Sequence, residues 1–189
     1  MSYWLYITNL DNWEITKKKK ILGAAEKYSR SLSRIDKGDR IIIYVKSRVK
    51  EGTTVASTLA GEYEATSSVF IDNDKMFQAP EKAPNELFSL RVRLKPIKIP
   101  ERPIEFKPLV SQLDFIKSKK YWSLTLYGVA VLNLPEKDYT FISSKLQYWQ
   151  WNVCEILAGT SWTESELTRK ECLHELYKLT SLQTAFASC

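Results

Sequence analysis

Six residues near the start of the chain, Tyr3-Trp4-Leu5-Tyr6-Ile7-Thr8, are aromatic, aliphatic or β-branched and carry no charge. Such a run reads as a buried strand. Asn9-Leu10-Asp11-Asn12 follows at once, and its side-chain oxygens can cap a helix or hold a turn; Trp13 comes next. A buried strand thus ends in a polar corner flanked by the indoles of Trp4 and Trp13. A flat, hydrogen-bonding ligand needs such a corner, with an aromatic face for stacking and fixed donors and acceptors in the ring plane. The same residues also suit a plainer role, with both tryptophans in the core and both asparagines in the turn, and most aromatics near a strand end are packing residues.

A second apolar run, Arg40-Ile41-Ile42-Ile43-Tyr44-Val45, follows the turn signal Lys37-Gly38-Asp39 and should lie at the centre of the sheet. Between the two strands, Asn12 to Lys20 predicts a short helix capped by Asp11 or Asn12. Its lysines, Lys17 to Lys20, form a solvated end that could also touch phosphates. Leu22-Gly23 lies in a small apolar connector where the glycine would let another group approach the backbone closely. Thr58 to Val69 predicts a strand bent at Gly61, and Asp72 to Asn85 a loop with one helical turn near Met76-Phe77.

Phe88 to Ile99 has the cleanest period of two in the chain. Phe88, Leu90, Val92 and Leu94 fall on one face and Ser89, Arg91, Arg93 and Lys95 on the other, and Pro96, Pro100 and Pro103 should close the strand. The basic face meets solvent or, as a ridge, the phosphates of a nucleic acid. Phe106 to Ile116 reads as a short helix. Lys119-Lys120-Tyr121-Trp122-Ser123 interleaves cations with aromatics, which suits base stacking and backbone contact, though Trp122 fits the core equally well. A helix should start at Leu134-Pro135 and run to about Leu146.

With 189 residues and 44% hydrophobic content, the chain can core one domain and an appendage. It contains no run of about 18 apolar residues and no secretory leader pattern, so a cytoplasmic protein is expected. Cys154, Cys172 and Cys189 are odd in number and lack metal-ligand spacing, which points to free thiols and to no metal or cofactor. The net charge of +6 is uneven: residues 147–189 balance at −2 and the first 146 at +8. A positive surface of that size fits a polyanion, although thermophile proteins are also lysine-rich. The tail has an aromatic cluster (Tyr148, Trp149, Trp151) and a capping box, Thr163-Glu164-Ser165-Glu166, opening an amphipathic helix. His174, the only histidine, lies in the tail with no nearby nucleophile partner, so it reads as a surface or packing residue and no Ser-His-Asp set is in reach. A glycine-rich phosphate loop and an HExxH metal pair are also missing from the sequence.

Several ordered blocks together resemble the archaeal branch of the EVE domain family. They are Tyr3–Trp13, Leu32–Val45, Arg91–Ile99, Phe115–Ser123 and Gly128–Tyr139. The resemblance covers residues 1–146 and leaves 147–189 as a helical C-terminal extension. It implies an α+β, PUA-like fold, a strongly curved or closed β-barrel with short surrounding helices, related to YTH domains. It also implies a non-enzymatic module that reads a modified base, methylated adenine or cytosine, in DNA or RNA. The implied pocket residues are Trp4, Thr8, Asn9, Asn12, Trp13, Leu22, Gly23, Tyr44, Trp122 and Ser123, with Arg91, Arg93, Lys119 and Lys120 on the nucleic-acid backbone. Where relatives tend to carry tryptophan before the connector glycine, this chain has Leu22, a loss of about 1–3 kcal/mol of base stacking. Two alternatives stand beside the base-reading module. The resemblance also implies kinship with small PUA-like amidohydrolases that act on modified nucleosides through lysine, threonine and glutamate. Of these the chain offers Thr8 and many lysines but no motif placing a lysine and a carboxylate together near Thr8. The C-terminal helix could instead build an interaction adaptor or homodimer.

Overall fold

A computed structural model describes residues 1–50 and 52–146 of the protein. The tail helix, the Trp149/Trp151 cluster, His174, all three cysteines and any dimer contact made through them lie outside the described residues. In chain order come β1 (Tyr3–Thr8), α1 (Leu10–Lys19), β2 (Ile21–Ala24), a 3-10 turn at Glu26–Tyr28, α2 (Ser29–Leu32) and β3 (Arg40–Val45). A hairpin of β4 (Arg48–Lys50) and β5 (Thr53–Val55) leads to β6 (Thr58–Ala65), β7 (Phe70–Ile71) and, after a long connection, β8 (Leu90–Lys98). Then follow β9 (Ile104–Glu105), a 3-10 helix at Lys107–Gln112, α3 (Trp122–Leu126), β10 (Val131–Asn133) and α4 (Glu136–Lys145).

One sheet runs β10-β1-β3-β6-β8-β2, with β7 added on β8 and β9 on β6. β1 and β3 are parallel, and the chain between them, through α1, β2 and α2, makes the long crossover that parallel neighbours need. Both strands are covered on both faces, which is why neither sequence alternates. Trp4, Tyr6, Ile41, Ile43 and Val45 join Trp13, Leu22 and Val92 in one core layer. Leu5, Ile7, Ile42 and Tyr44 face a second layer with Phe106, Val110, Leu113 and Ile142. The expected α+β fold is therefore present, and its sheet curls into a half-barrel. β1 and β2 share no ladder, but a side chain links them, the Tyr6 hydroxyl donating to the Gly23 carbonyl at 2.8 Å.

Bending is concentrated where the sequence permits it. Gly61, at φ 152°, sits opposite Ile43 just where the β3–β6 register shifts. Pro96 does not end β8: the strand continues to Lys98, and the proline pairs with Tyr63 beside a second register shift, where a missing N–H is tolerated. α1 begins earlier than expected because Asn9, and neither Asp11 nor Asn12, is its cap; the Asn9 Oδ1 accepts the Asn12 backbone N–H at 2.8 Å. The Leu22-Gly23 connector is itself a strand, paired with Val92 and Arg91. Residues 72–89 form no helical turn.

Candidate functional site

Both asparagines at the end of β1 are engaged, in different ways. Asn9 uses its oxygen on the helix cap. Asn12, one turn on and 4% exposed, turns its carboxamide onto the long β7–β8 connection. Its Nδ2 donates to the Gln78 carbonyl at 3.1 Å and its Oδ1 accepts the Gln78 N–H at 2.7 Å, so one side chain pairs with both groups of one residue. The preceding residue, Phe77, is 3% exposed and lies over Gly23: a Cβ built on the glycine would stand 2.2 Å from the ring. The close approach that Gly23 permits is thus made by an aromatic ring of the chain's own.

Beneath Gly23 is a buried polar group. The Tyr6 hydroxyl donates to the Gly23 carbonyl, and the Gly23 N–H points back at it from 3.4 Å. Burial pushes the Tyr6 phenol above its ordinary range, while the nearby Thr8 and Thr16 hydroxyls and the bond to the Gly23 backbone pull the other way. Asn12 and Gly23 are therefore joined through Gln78 and Phe77, with Tyr6 bonded to Gly23 from beneath and Asn9 bonded to the Asn12 backbone.

Other expected pocket residues lie elsewhere. Trp4 is a core residue, its indole N–H donating to Asp39 at 2.8 Å, and Trp13 packs edge-on against Tyr63 in the same layer. These indoles sit where burying a large apolar ring gains most, so neither offers a face at the corner. Leu22 is fully buried in that core. Tyr44 and Trp122 pack on Phe106 in the other layer, with centroids 5.0 and 5.6 Å from it, and Ser123 is exposed on α3. The sheet itself separates this aromatic group from Gly23 and Asn12.

The expected basic face of β8 is only partly open to solvent. Arg91 is fully buried: it pairs with the Asp72 carboxylate, donates to the Asp74 and Phe88 carbonyls and stands over the Phe77 ring. Alternation put it on the polar face, but β7 and the connection fold over that face and an aspartate meets it there. Arg93 is exposed beside the Phe70 ring, and Lys119 and Lys120 are exposed ahead of α3. The Lys119 ammonium donates to the Leu113 carbonyl.

A lysine and a carboxylate do meet in the second layer. Glu62, buried in β6, accepts from Tyr139 at 2.7 Å and Ser143 at 2.6 Å, and Lys98 lies 3.7 Å from it. The Lys98 ammonium donates to the Ser143 hydroxyl at 2.6 Å and to its carbonyl at 3.2 Å, so the cluster pins α4 to the sheet. It lies across the sheet from Thr8.

Comparison with known proteins gives a consistent family. Residues 2–145 match the EVE domain model. A UPF0310 protein of Pyrococcus horikoshii is 42% identical over 147 residues, 77% of this chain and 99% of that one. A second, from Pyrococcus abyssi, is 40% identical over 146 residues, 77% of this chain and all of that one. Among solved structures, a Pseudomonas syringae protein superposes with a TM-score of 0.53 at 12% identity, over 77% of this chain and all of that one. Human THYN1, solved in complex with DNA containing 5-methylcytosine, superposes with a TM-score of 0.52 at 15% identity, over 78% of this chain and 98% of that one.

Proposed function

The chain belongs to the EVE domain family, and on that premise we propose that it is a non-enzymatic nucleic-acid-binding module that takes one modified base, a methylated cytosine or adenine, against Gly23 and Asn12. The observation that carries this reading is the Asn12 carboxamide, which presents one donor and one acceptor side by side and already holds an amide edge with both. Cytosine and adenine carry the same pairing of a ring acceptor and an exocyclic amino donor. Gly23 supplies the flat, side-chain-free floor that a ring needs. The DNA complex of the structurally similar THYN1 supports the ligand class. Arg93, Lys119 and Lys120 supply cations for the flanking phosphates.

Matched single strands of DNA and RNA, unmodified or carrying one methylated cytosine or adenine, test the reading when titrated at two salt concentrations. Tighter binding of one modified strand at both salts, abolished by Asn12→Ala, is the expected result. Equal binding of all strands that collapses with salt means that the basic surface acts alone and the base site must be given up.

A further inference from the structure

Taking the site above as the place where a base binds, we infer that the chain carries its own competitor: residues Asp72 to Phe88 form a strap whose Phe77 ring and Gln78 backbone fill the position of the base. A nucleic acid gains the site only when the strap swings out.

The match is chemical as well as steric. A base offers a flat aromatic ring with a donor and an acceptor on its edge. The Phe77-Gln78 unit offers a flat ring on Gly23, close enough to exclude a Cβ, and a backbone donor and acceptor on Asn12. With those contacts made, both polar atoms of the Asn12 side chain are engaged and the floor is covered. A hollow of about 490 Å³ lies nearby, but its lining comes entirely from residues between Lys75 and Pro84 of the strap, and neither Asn12 nor Gly23 borders it. Space is available around the strap, while the site itself is filled.

The strap is fastened in a way that permits release. Its ends are clasped by Arg91, which reaches Asp72, the Asp74 carbonyl and the Phe88 carbonyl, and by the Asp72 N–H on the Ser89 carbonyl at 2.9 Å. Between those ends, Ala83 bonds to Pro80 and Glu86 to Ala83, turns internal to the strap. At the far end Phe88 has a φ of 49°, a left-handed conformation costly for an aromatic residue, and its N–H is held by the Glu86 carboxylate at 3.0 Å. Swinging the strap out would relieve that strain.

A site available only a fraction of the time binds with its affinity reduced by that fraction. For a strap open roughly 1–10% of the time, freeing it tightens binding about 10- to 100-fold. The experiment compares the full chain with Phe77→Ala and Asp72→Asn, titrating each with single strands carrying or lacking 5-methylcytosine or methylated adenine and following the Gln78 amide by hydrogen exchange. Both variants should bind the modified strand about 10- to 100-fold tighter, and that strand should expose the Gln78 amide of the unaltered chain. Unchanged or weaker binding by both variants, with the Gln78 amide still protected in the complex, makes Phe77 a fixed wall; the strap proposal then fails while base reading stands. Failure of every protein to distinguish modified from unmodified strands overturns base reading, and the competitor with it. Asp72→Asn removes no atom of the site and decides alone if Phe77→Ala does not fold.

Discussion

The Tyr6 hydroxyl donates to the Gly23 carbonyl at 2.8 Å, joining β1 to β2, strands that share no ladder in the curled sheet. One buried phenol thus fixes how far β2 stands from β1, and so the height of the floor on which Phe77 rests. Tyr6→Phe keeps the ring and leaves the Gly23 carbonyl unpaired in the core. The expected cost is about 1–3 kcal/mol of stability, read as a lower midpoint in urea unfolding. An unchanged midpoint would mean that packing alone sets that distance.

Trp13 and Asn12 are neighbours in sequence with opposite duties. Trp13 is buried against Tyr63, so Trp13→Ala should cost about 3–5 kcal/mol of stability. Any binding change it shows should vanish once the folded fraction is accounted for. Asn12→Ala should lower stability far less and remove the preference between modified and unmodified strands. Loss of preference in a fully folded Trp13→Ala protein would return the indole to the site.

Reading the chain from its residues succeeds where a local signal and a global one coincide. The runs at Tyr3–Thr8 and Ile41–Val45 have no polar face to expose, and both are central strands buried on each side. Gly61 bends its strand as expected. The indoles at Trp4 and Trp13 mislead because residue type shows only that a ring will be buried or used, and burial prevails when the second layer of a core needs filling. Arg91 misleads for a different reason. Strict alternation identifies a face of β8 but says nothing of what folds over it, and here Asp72 and Asp74, 19 and 17 residues away in sequence, supply the partners. Phe77 and Gln78 were hidden for the same reason. The one sequence clue was Gly23, which promised a close approach without naming the group that makes it.

Arg91 and Arg93 separate structure from binding within one strand. Arg93, Lys119 and Lys120 are exposed, and replacing each by alanine should lower the salt dependence of binding by roughly one phosphate contact, about 0.7–0.9 in the logarithmic slope, for modified and unmodified strands alike. Arg91→Met strips the clasp from Asp72 and the Asp74 carbonyl and should cost about 3 kcal/mol, with the salt slope unaltered. A fall in that slope on replacing the buried arginine would contradict its placement.

The Tyr139 ring stacks on Tyr3 with centroids 4.1 Å apart, and its hydroxyl donates to Glu62 at 2.7 Å. Burial, then the bond to Glu62, then the charge of that carboxylate, hold the phenol well above its ordinary value of 10.0, and burial moves Tyr6 and Tyr44 in the same direction. Each raised group keeps its proton in the folded chain at a pH where the unfolded chain has begun to lose it. The resulting stabilisation is complete below the unfolded-state value near 10 and is lost as pH climbs from there through the folded-state values. Urea unfolding at a series of pH values should therefore show stability falling above pH 10. In Tyr139→Phe that fall should be shallower, because Glu62 retains Ser143 and Lys98 while one raised phenol is gone. An equally steep fall in Tyr139→Phe would assign the alkaline sensitivity to the other raised groups, Tyr3, Tyr6, Tyr44 and Lys137.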